Sequence, residues 1–268
     1  MIKTIDRVLD HLTMYRLVLY YLMALVGAAF VLSLVKLVPH DPIALAFTAA
    51  LALAACWVAN KVFAHVFAVP ANNESVYITA LILALILDPV ATTDIKGIAA
   101  VAFTAVWAIS SKFILAVGRK HLFNPAALGV ALSALLLDQP ATWWVGGNLP
   151  LLPLVLVGGM LIVRKLRRLD LVSTFAMVAL ATILATSDPS QYWTALAETF
   201  GSSPLLFFAF VMLTEPLTAP TMRWARIVFA AIVGFLFAPN IHIGSFYFTP
   251  ELALLAGNLF AYAAGPKG

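Results

Sequence analysis

Charge is scarce in this sequence: Asp, Glu, Lys and Arg together make up 10% of its 268 residues. So few charges cannot cover a soluble surface, which excludes an ordinary soluble domain. Cysteine is scarcer still. The single Cys56 lies inside an apolar run, which excludes an intrachain disulfide, a cysteine-based zinc site and a cysteine-ligated iron–sulfur cluster. A basic face for nucleic acid is also missing. The net charge of +4 comes from tight clusters, Arg119-Lys120, Arg164-Lys165 with Arg167-Arg168, and Arg223 with Arg226, set between apolar runs. Such clusters orient a chain in a bilayer. The five histidines, His11, His40, His65, His121 and His242, are scattered near segment ends, and no pair has the placement of haem or metal ligands.

What is present is apolar. Hydrophobic residues make up 63% of the chain, the composition of a polytopic, all-α membrane protein forming one integral membrane domain over 1–268. Ten apolar segments are expected, at 15–36, 43–66, 75–87, 97–118, 124–137, 143–163, 171–187, 203–214, 224–239 and 250–264. About half of them approach the ~20 residues that cross a bilayer. The run from Leu17 to Val35 is too long for the core of a signal peptide, so it reads as a retained span. Ahead of it, Ile2, Ile5, Leu9 and Leu12 recur at helical spacing and predict a short interfacial helix. With the N-terminus inside, the inner loops hold Lys61 and the three basic clusters, whereas the outer loops hold only Lys36 and Lys96. This alternation predicts ten crossings with both termini cytoplasmic.

Two short stretches occur twice. Leu87-Asp88-Pro89-Val90 is followed by Phe123-Asn124-Pro125-Ala126, and Leu213-Thr214-Glu215-Pro216 by Phe248-Thr249-Pro250-Glu251, at nearly the same gap. The spacing predicts an internal duplication, repeat A at about 15–137 and repeat B at about 143–264. Five crossings is an odd number, so the halves enter the membrane from opposite sides as an inverted 5+5 repeat with broken or half-length helices. Backbone groups at broken helix ends cannot be satisfied by lipid and must be buried in protein or line a polar cavity.

Asn124 and Thr249 each precede a Pro, as N-cap residues do, and a helix start inside a membrane also suits an anionic or carbonyl-bearing ligand. Asp88 and Glu215 mean little at the membrane surface but are candidate ion or proton sites if held at depth. Glu251 complements a helix dipole, and Lys112, near the end of its run, reads as snorkelling. Asn148 and Asn258, in otherwise apolar segments, are expected to bond a neighbouring helix. Gly158-Gly159 and the small residues 126–129 predict close helix packing.

Phe123-Asn124-Pro125-Ala126-Ala127-Leu128-Gly129 and Phe208-Ala209-Phe210-Val211-Met212-Leu213-Thr214-Glu215-Pro216-Leu217-Thr218-Ala219 together resemble a known family. It is the NqrB/RnfD family, the membrane component common to two respiratory complexes, the sodium-translocating NADH:quinone oxidoreductase and the Rnf electron-transport complex. The family pattern has F-N-P-A and later T-D-P-V-T-A, with Glu215 here in place of the usual Asp. The likeness runs from about Asn72 to Tyr262. It implies an inverted-repeat fold similar to urea transporters and a role in electron transport with a flavin, FMN or riboflavin, with a quinone as a further candidate.

In that family FMN is attached to a threonine in a long loop between the fifth and sixth helices. Here the connection is only Asp138-Gln139-Pro140-Ala141-Thr142 and has no such motif, so a non-covalent flavin is expected. Asn124, Thr218, Thr249 and Asn258 are the polar groups expected to line its site, with Asp88 and Glu215 for an ion or proton. No extra-membrane NAD or iron–sulfur module is present, so partners would be other subunits of a redox complex or a separate reductase. The alternatives are a channel or transporter for a small polar solute on the same repeat, and a scaffold that only anchors partners.

Overall fold

The computed structural model describes residues 9–70, 73–118 and 120–265. The first half runs α1 (Met14–Leu34), α2 (Pro42–Val66), α3 (Asn73–Ile86), α4 (Ile95–Ile114), a hairpin of β1 (Ala116–Val117) and β2 (Lys120–His121), and α5 (Pro125–Leu137). The second half runs α6 (Leu152–Leu166) and α7 (Leu169–Thr186). There follow α8 (Tyr192–Gly201), α9 (Leu205–Phe207) continued by a π-helical turn at Phe208–Met212, and α10 (Arg223–Phe237). A second hairpin, β3 (His242–Ile243) and β4 (Phe246–Tyr247), leads into α11 (Pro250–Ala263). Apart from α8, the order of elements in one half matches that in the other. Most of the interfacial helix expected near the N-terminus lies outside the described residues.

Local chemistry sets where the helices begin. Asp41 caps α2 through the Ala44 N–H at 2.9 Å, and Asp94 caps α4 through the Gly97 N–H at 3.0 Å. Asn124 and Thr249 cap α5 and α11, and Pro42, Pro125 and Pro250 occupy the first helical position, where a missing N–H costs nothing.

Among the described residues, five helices are long and apolar enough to cross a membrane: Met14–Leu34, Pro42–Val66, Ile95–Ile114, Leu149–Leu166 (α6 with its preceding 3-10 turn) and Leu169–Thr186. The bent pair Pro189–Gly201 and Leu205–Met212 makes a sixth if it is one span. By length and composition this is an integral membrane protein. Large apolar side chains such as Val31, Val58, Val62, Val157 and Met177 stand exposed on these helices. In water they would form aggregating patches, whereas toward lipid they are at home.

Lipid gives no hydrophobic drive for helices to associate, so close packing carries that role. α2 packs on α3 and α4, α4 on α5, α7 on α10, and α5 meets α11 across the halves. A Cβ on Gly129 would stand 2.5 Å from the Thr104 carbonyl oxygen, so α4 and α5 touch backbone to backbone. Gly158 and Gly159 lie against the rings of Tyr21 and Phe210, as the sequence led one to expect. Inside the second half the Phe175, Phe208 and Phe237 rings form a cluster with centroids 5.2–5.3 Å apart.

Three sequence expectations need correction. The sixth segment does not begin at 143: residues 143–148 are non-helical, and the helical turns start only at Leu149. Trp143, Trp144 and Val145 instead pack at the end of α3 and bond its last carbonyls. The fourth segment stops at Ile114, because the chain turns into the first hairpin. The loop expected before residue 203 contains α8, an amphipathic helix too short and too polar to stand out as an apolar run.

At the start of α10 the Arg226 guanidinium is held by the Asp170 carboxylate at 2.6 and 3.0 Å and by the Thr221 carbonyl at 2.7 Å. Nearby Arg168 donates to the Pro220 carbonyl at 2.6 Å. These bonds tie α7 to α10 at one end. Arg226→Ala is expected to destabilise the protein by about 1.5–3 kcal/mol, the range for a hydrogen bond to a charged group. Thermal melting in detergent measures it, and an unchanged melting temperature would refute the tie.

Candidate functional site

The first hairpin pairs Ala116 with His121 and Val117 with Lys120, and the Leu122 N–H to Leu115 carbonyl bond at 2.9 Å extends it. The return strand delivers His121 and, three residues on, Asn124. Asn124 uses every polar atom it has. Its Oδ1 accepts from the Ala127 N–H at 3.0 Å, which is the N-cap bond. Its N–H donates to Asn258 Oδ1 on α11 at 2.8 Å, and its Nδ2 donates to Glu215 Oε2 at 2.8 Å and the Met212 carbonyl at 3.5 Å. A cap alone would need only the first of these bonds. The others join the two halves.

Glu215 follows the π-helical turn of α9, a local widening of the helix that recurs at functional sites. Its Oε2 also accepts from Thr218 Oγ1 at 3.1 Å, and its Oε1 lies 3.0 Å from His121 Nε2. The Glu215 side chain is 24% exposed and that of His121 only 7%. A carboxylate and an imidazole in contact can pass one proton between them, and Asn124 and Thr218 hold the carboxylate in place through neutral donors. Asn258 closes the network by donating to the Thr218 carbonyl at 3.4 Å.

The carboxylate borders a cavity of about 60 Å³. Its walls come from the starts of α1, α3 and α5 and the ends of α6 and α9, with Tyr15, Ser75, Thr79, Asn124, Thr214 and Glu215 as polar members. One water needs roughly 10–15 Å³ on this measure, so the cavity suits a few waters or a small ion. Behind the α3 wall lies Lys112. Its ammonium does not snorkel outward as expected. It donates to Ser75 Oγ at 2.8 Å, the Ser75 carbonyl at 2.9 Å and Thr79 Oγ1 at 2.8 Å. All three of its donors are thereby used.

Of the residues singled out in the sequence, Asn124, Thr218, Asn258 and Glu215 come together. Thr249 and Asp88 do not join them. Thr249 caps α11 through the Leu252 N–H at 3.5 Å, and Asp88 is exposed beside Pro89. The duplicated acidic-Pro pair is therefore asymmetric in environment. Asn258 bonds its neighbours as expected of a polar residue in an apolar helix. Asn148 lies outside any helix instead, and its Oδ1 is buried without a partner.

His121, Lys112, Glu251 and Trp143 were not legible as site residues. The one signal for His121 was its position two residues ahead of the motif that starts at Phe123. Glu251 is buried at 2% exposure, and its Oε2 accepts from Trp143 Nε1 at 3.3 Å, so it does more than complement a dipole. Among the described residues no group of three or more His, Cys, Asp or Glu could hold a metal ion.

Ligands with extended ring systems occupy clefts of roughly 300–1,000 Å³. The cavity at Glu215 is smaller than that. Neither the known protein families nor the curated proteins contain a match to this chain.

Proposed function

We propose that this chain is an ion-coupled membrane subunit of an electron-transport complex, built as ten segments in two inverted five-segment repeats, with both termini in the cytoplasm of a bacterial inner membrane. One observation carries the reading. The two stretches that resemble the membrane component common to the two respiratory complexes meet in space, where Asn124 Nδ2 and Glu215 Oε2, 91 residues apart in the chain, lie 2.8 Å from each other.

The alternation of basic loops agrees with the cavity: the starts of α1, α3 and α5 and the ends of α6 and α9 all fall on the cytoplasmic side in that topology. The work of these residues is to hold a proton or small cation at the Glu215–His121 pair, at the crossing of two interrupted helices. A non-covalent flavin or a quinone would lie outside this cavity, against lipid or a partner subunit, and would supply the electron-carrying chemistry. Partners are the other subunits of the complex or a separate reductase.

The absorbance spectrum of the gently purified protein tests the redox part. Flavin bands are expected, and acid precipitation should release the flavin into the supernatant because it is not covalent. A spectrum without flavin, and without quinone in the organic extract, would remove the electron-transport reading.

A second reading, a channel or transporter for a small solute or ion without redox chemistry, is favoured by the size of the cavity. Flux of protons and of a panel of small solutes into proteoliposomes tests it, and lack of flux for all of them would remove it.

A further inference from the structure

The segment joining the two halves fills one particular place. Under the inverted-repeat reading, on which this inference rests, exchanging the halves pairs α1 with α6, α3 with α9 and α5 with α11. The cavity beside Glu215 then has a counterpart on the outer side, bounded by the starts of α6, α9 and α11 and the ends of α1 and α3. Residues 142–148 occupy that counterpart, with contacts at the end of α3, at the starts of α6, α9 and α11, and in the loop that follows α1.

At the end of α3, the N–H groups of Thr142 and Trp143 both donate to the Ile86 carbonyl at 2.9 Å. Trp144 Nε1 donates to the Leu87 carbonyl at 3.0 Å and the Ala84 carbonyl at 3.3 Å. The carbonyls left bare by this half-length helix are thus satisfied by the segment, as a broken helix in a membrane requires. Beyond α1, the His40 ring meets the Trp144 ring edge-on at 5.1 Å. At the start of α6, the Asn148 carbonyl accepts from the Leu151 N–H at 2.9 Å. At the start of α9, Gly146 lies so close to Pro204 that a Cβ would stand 2.7 Å from its Cα. At the start of α11, the Trp143 indole bonds Glu251, and its ring packs on Phe208 at 5.8 Å.

Two features make this packed state less favourable than a permanent one would be. Trp143 has φ 52, a left-handed backbone that a bulky residue adopts only under strain. Asn148 buries an acceptor, Oδ1, with no donor, which leaves that oxygen desolvated without compensation. Withdrawal of the segment relieves both.

We propose that residues 142–148 are a plug in the outer counterpart of the cavity, with Trp143 as the stopper over Glu251. When the plug withdraws, Glu251 becomes a second carboxylate that receives a proton or small cation from the outer side. Glu215 serves the cytoplasmic side, and the two carboxylates stand at the starts of the two half-length helices, α5 and α11, which pack on each other.

The test uses the full chain in a Cys56→Ser background, with a single cysteine introduced by Glu251→Cys or, for the cytoplasmic cavity, by Ser75→Cys. A membrane-impermeant cationic methanethiosulfonate is added to right-side-out or inside-out vesicles. Ser75→Cys is expected to react from the cytoplasmic side only. Glu251→Cys is expected to be unreactive from both sides while Trp143 is present. With Trp143→Ala added it should react from the outer side, at a rate raised about tenfold or more, as when a minor open state becomes a major one. Trp143→Leu keeps an apolar side chain in the site and removes only the bulk of the indole. It should give a smaller rise from the same side, and it carries the test if the alanine variant does not elute as a folded species. No rise in a folded variant, or a rise from the cytoplasmic side alone, overturns the plug. Reaction of Ser75→Cys from the outer side would instead overturn the topology, leaving the contacts of the segment as they are.

Discussion

Glu215→Ala is expected to destabilise the folded protein by about 3 kcal/mol, the low end of what removing one partner of a buried polar network costs. The low end applies because the side chain keeps 24% exposure toward the cavity. The loss has three parts. His121 Nε2, Asn124 Nδ2 and Thr218 Oγ1 all point at this carboxylate, and Asn124 Nδ2 keeps only the long bond to the Met212 carbonyl at 3.5 Å when it goes. Asn124 also anchors the start of α5 and bonds α11, so loosening there reaches the contact between the halves.

Glu215→Gln separates stability from function. The amide keeps the shape and one acceptor oxygen, so melting should fall by less than in the alanine variant. It cannot take up or release a proton near neutral pH, so proton flux through reconstituted protein should drop to the level of empty vesicles. Melting of both variants in detergent and flux in proteoliposomes are the measurements. A glutamine variant that moves protons as well as the unaltered protein would remove Glu215 from the mechanism, and an alanine variant that melts with it would show that the network holds nothing together.

Gly129→Val should prevent folding. The Cβ alone would lie 2.5 Å from the Thr104 carbonyl oxygen and 2.9 Å from the Ala108 methyl group. The first obstacle is backbone, which cannot swing aside as a side chain can. α5 would have to move off α4, taking Asn124 away from Glu215 and Asn258. Overpacking of this kind costs about 3 kcal/mol or more where no rearrangement relieves it. Gly27→Val is the matched control. Gly27 lies in a long apolar helix with nothing within 4 Å of its added Cβ, so the same change should leave melting close to that of the unaltered protein. Yield of monodisperse protein and its melting temperature report both. If the two variants behaved alike, the close approach of α4 and α5 would carry no weight.

The short motifs were the most legible part of the site. Asn124-Pro125 and Thr249-Pro250 mark helix starts in any setting, because a side-chain oxygen ahead of Pro satisfies free N–H groups that the helix cannot. Both helices begin where that chemistry puts them. The duplicated Asp/Glu-Pro pair was legible as a repeat but not as a site. Asp88 faces out and Glu215 faces the cavity, and only contacts made by residues far away in the chain separate the two. Lys112 shows the same limit. Its place near the end of an apolar run is compatible with reaching water or turning inward, and Ser75 and Thr79 on a different helix decide for the inward turn.

Hydropathy, the spacing of the prolines and the sparse charges determined by themselves that this is a helical membrane chain with long and half-length segments. Those properties depend on residues within a turn or two of each other and on the cost of exposing polar backbone to lipid. The tertiary structure alone decided that His121 and Glu215 meet, that Asn258 bonds the start of α5, and that Trp143 and Trp144 leave the expected sixth segment to cover the end of α3. Each of these joins elements tens of residues apart. Whether a polar side chain finds a partner there depends on where another helix ends, which no local pattern of residues encodes.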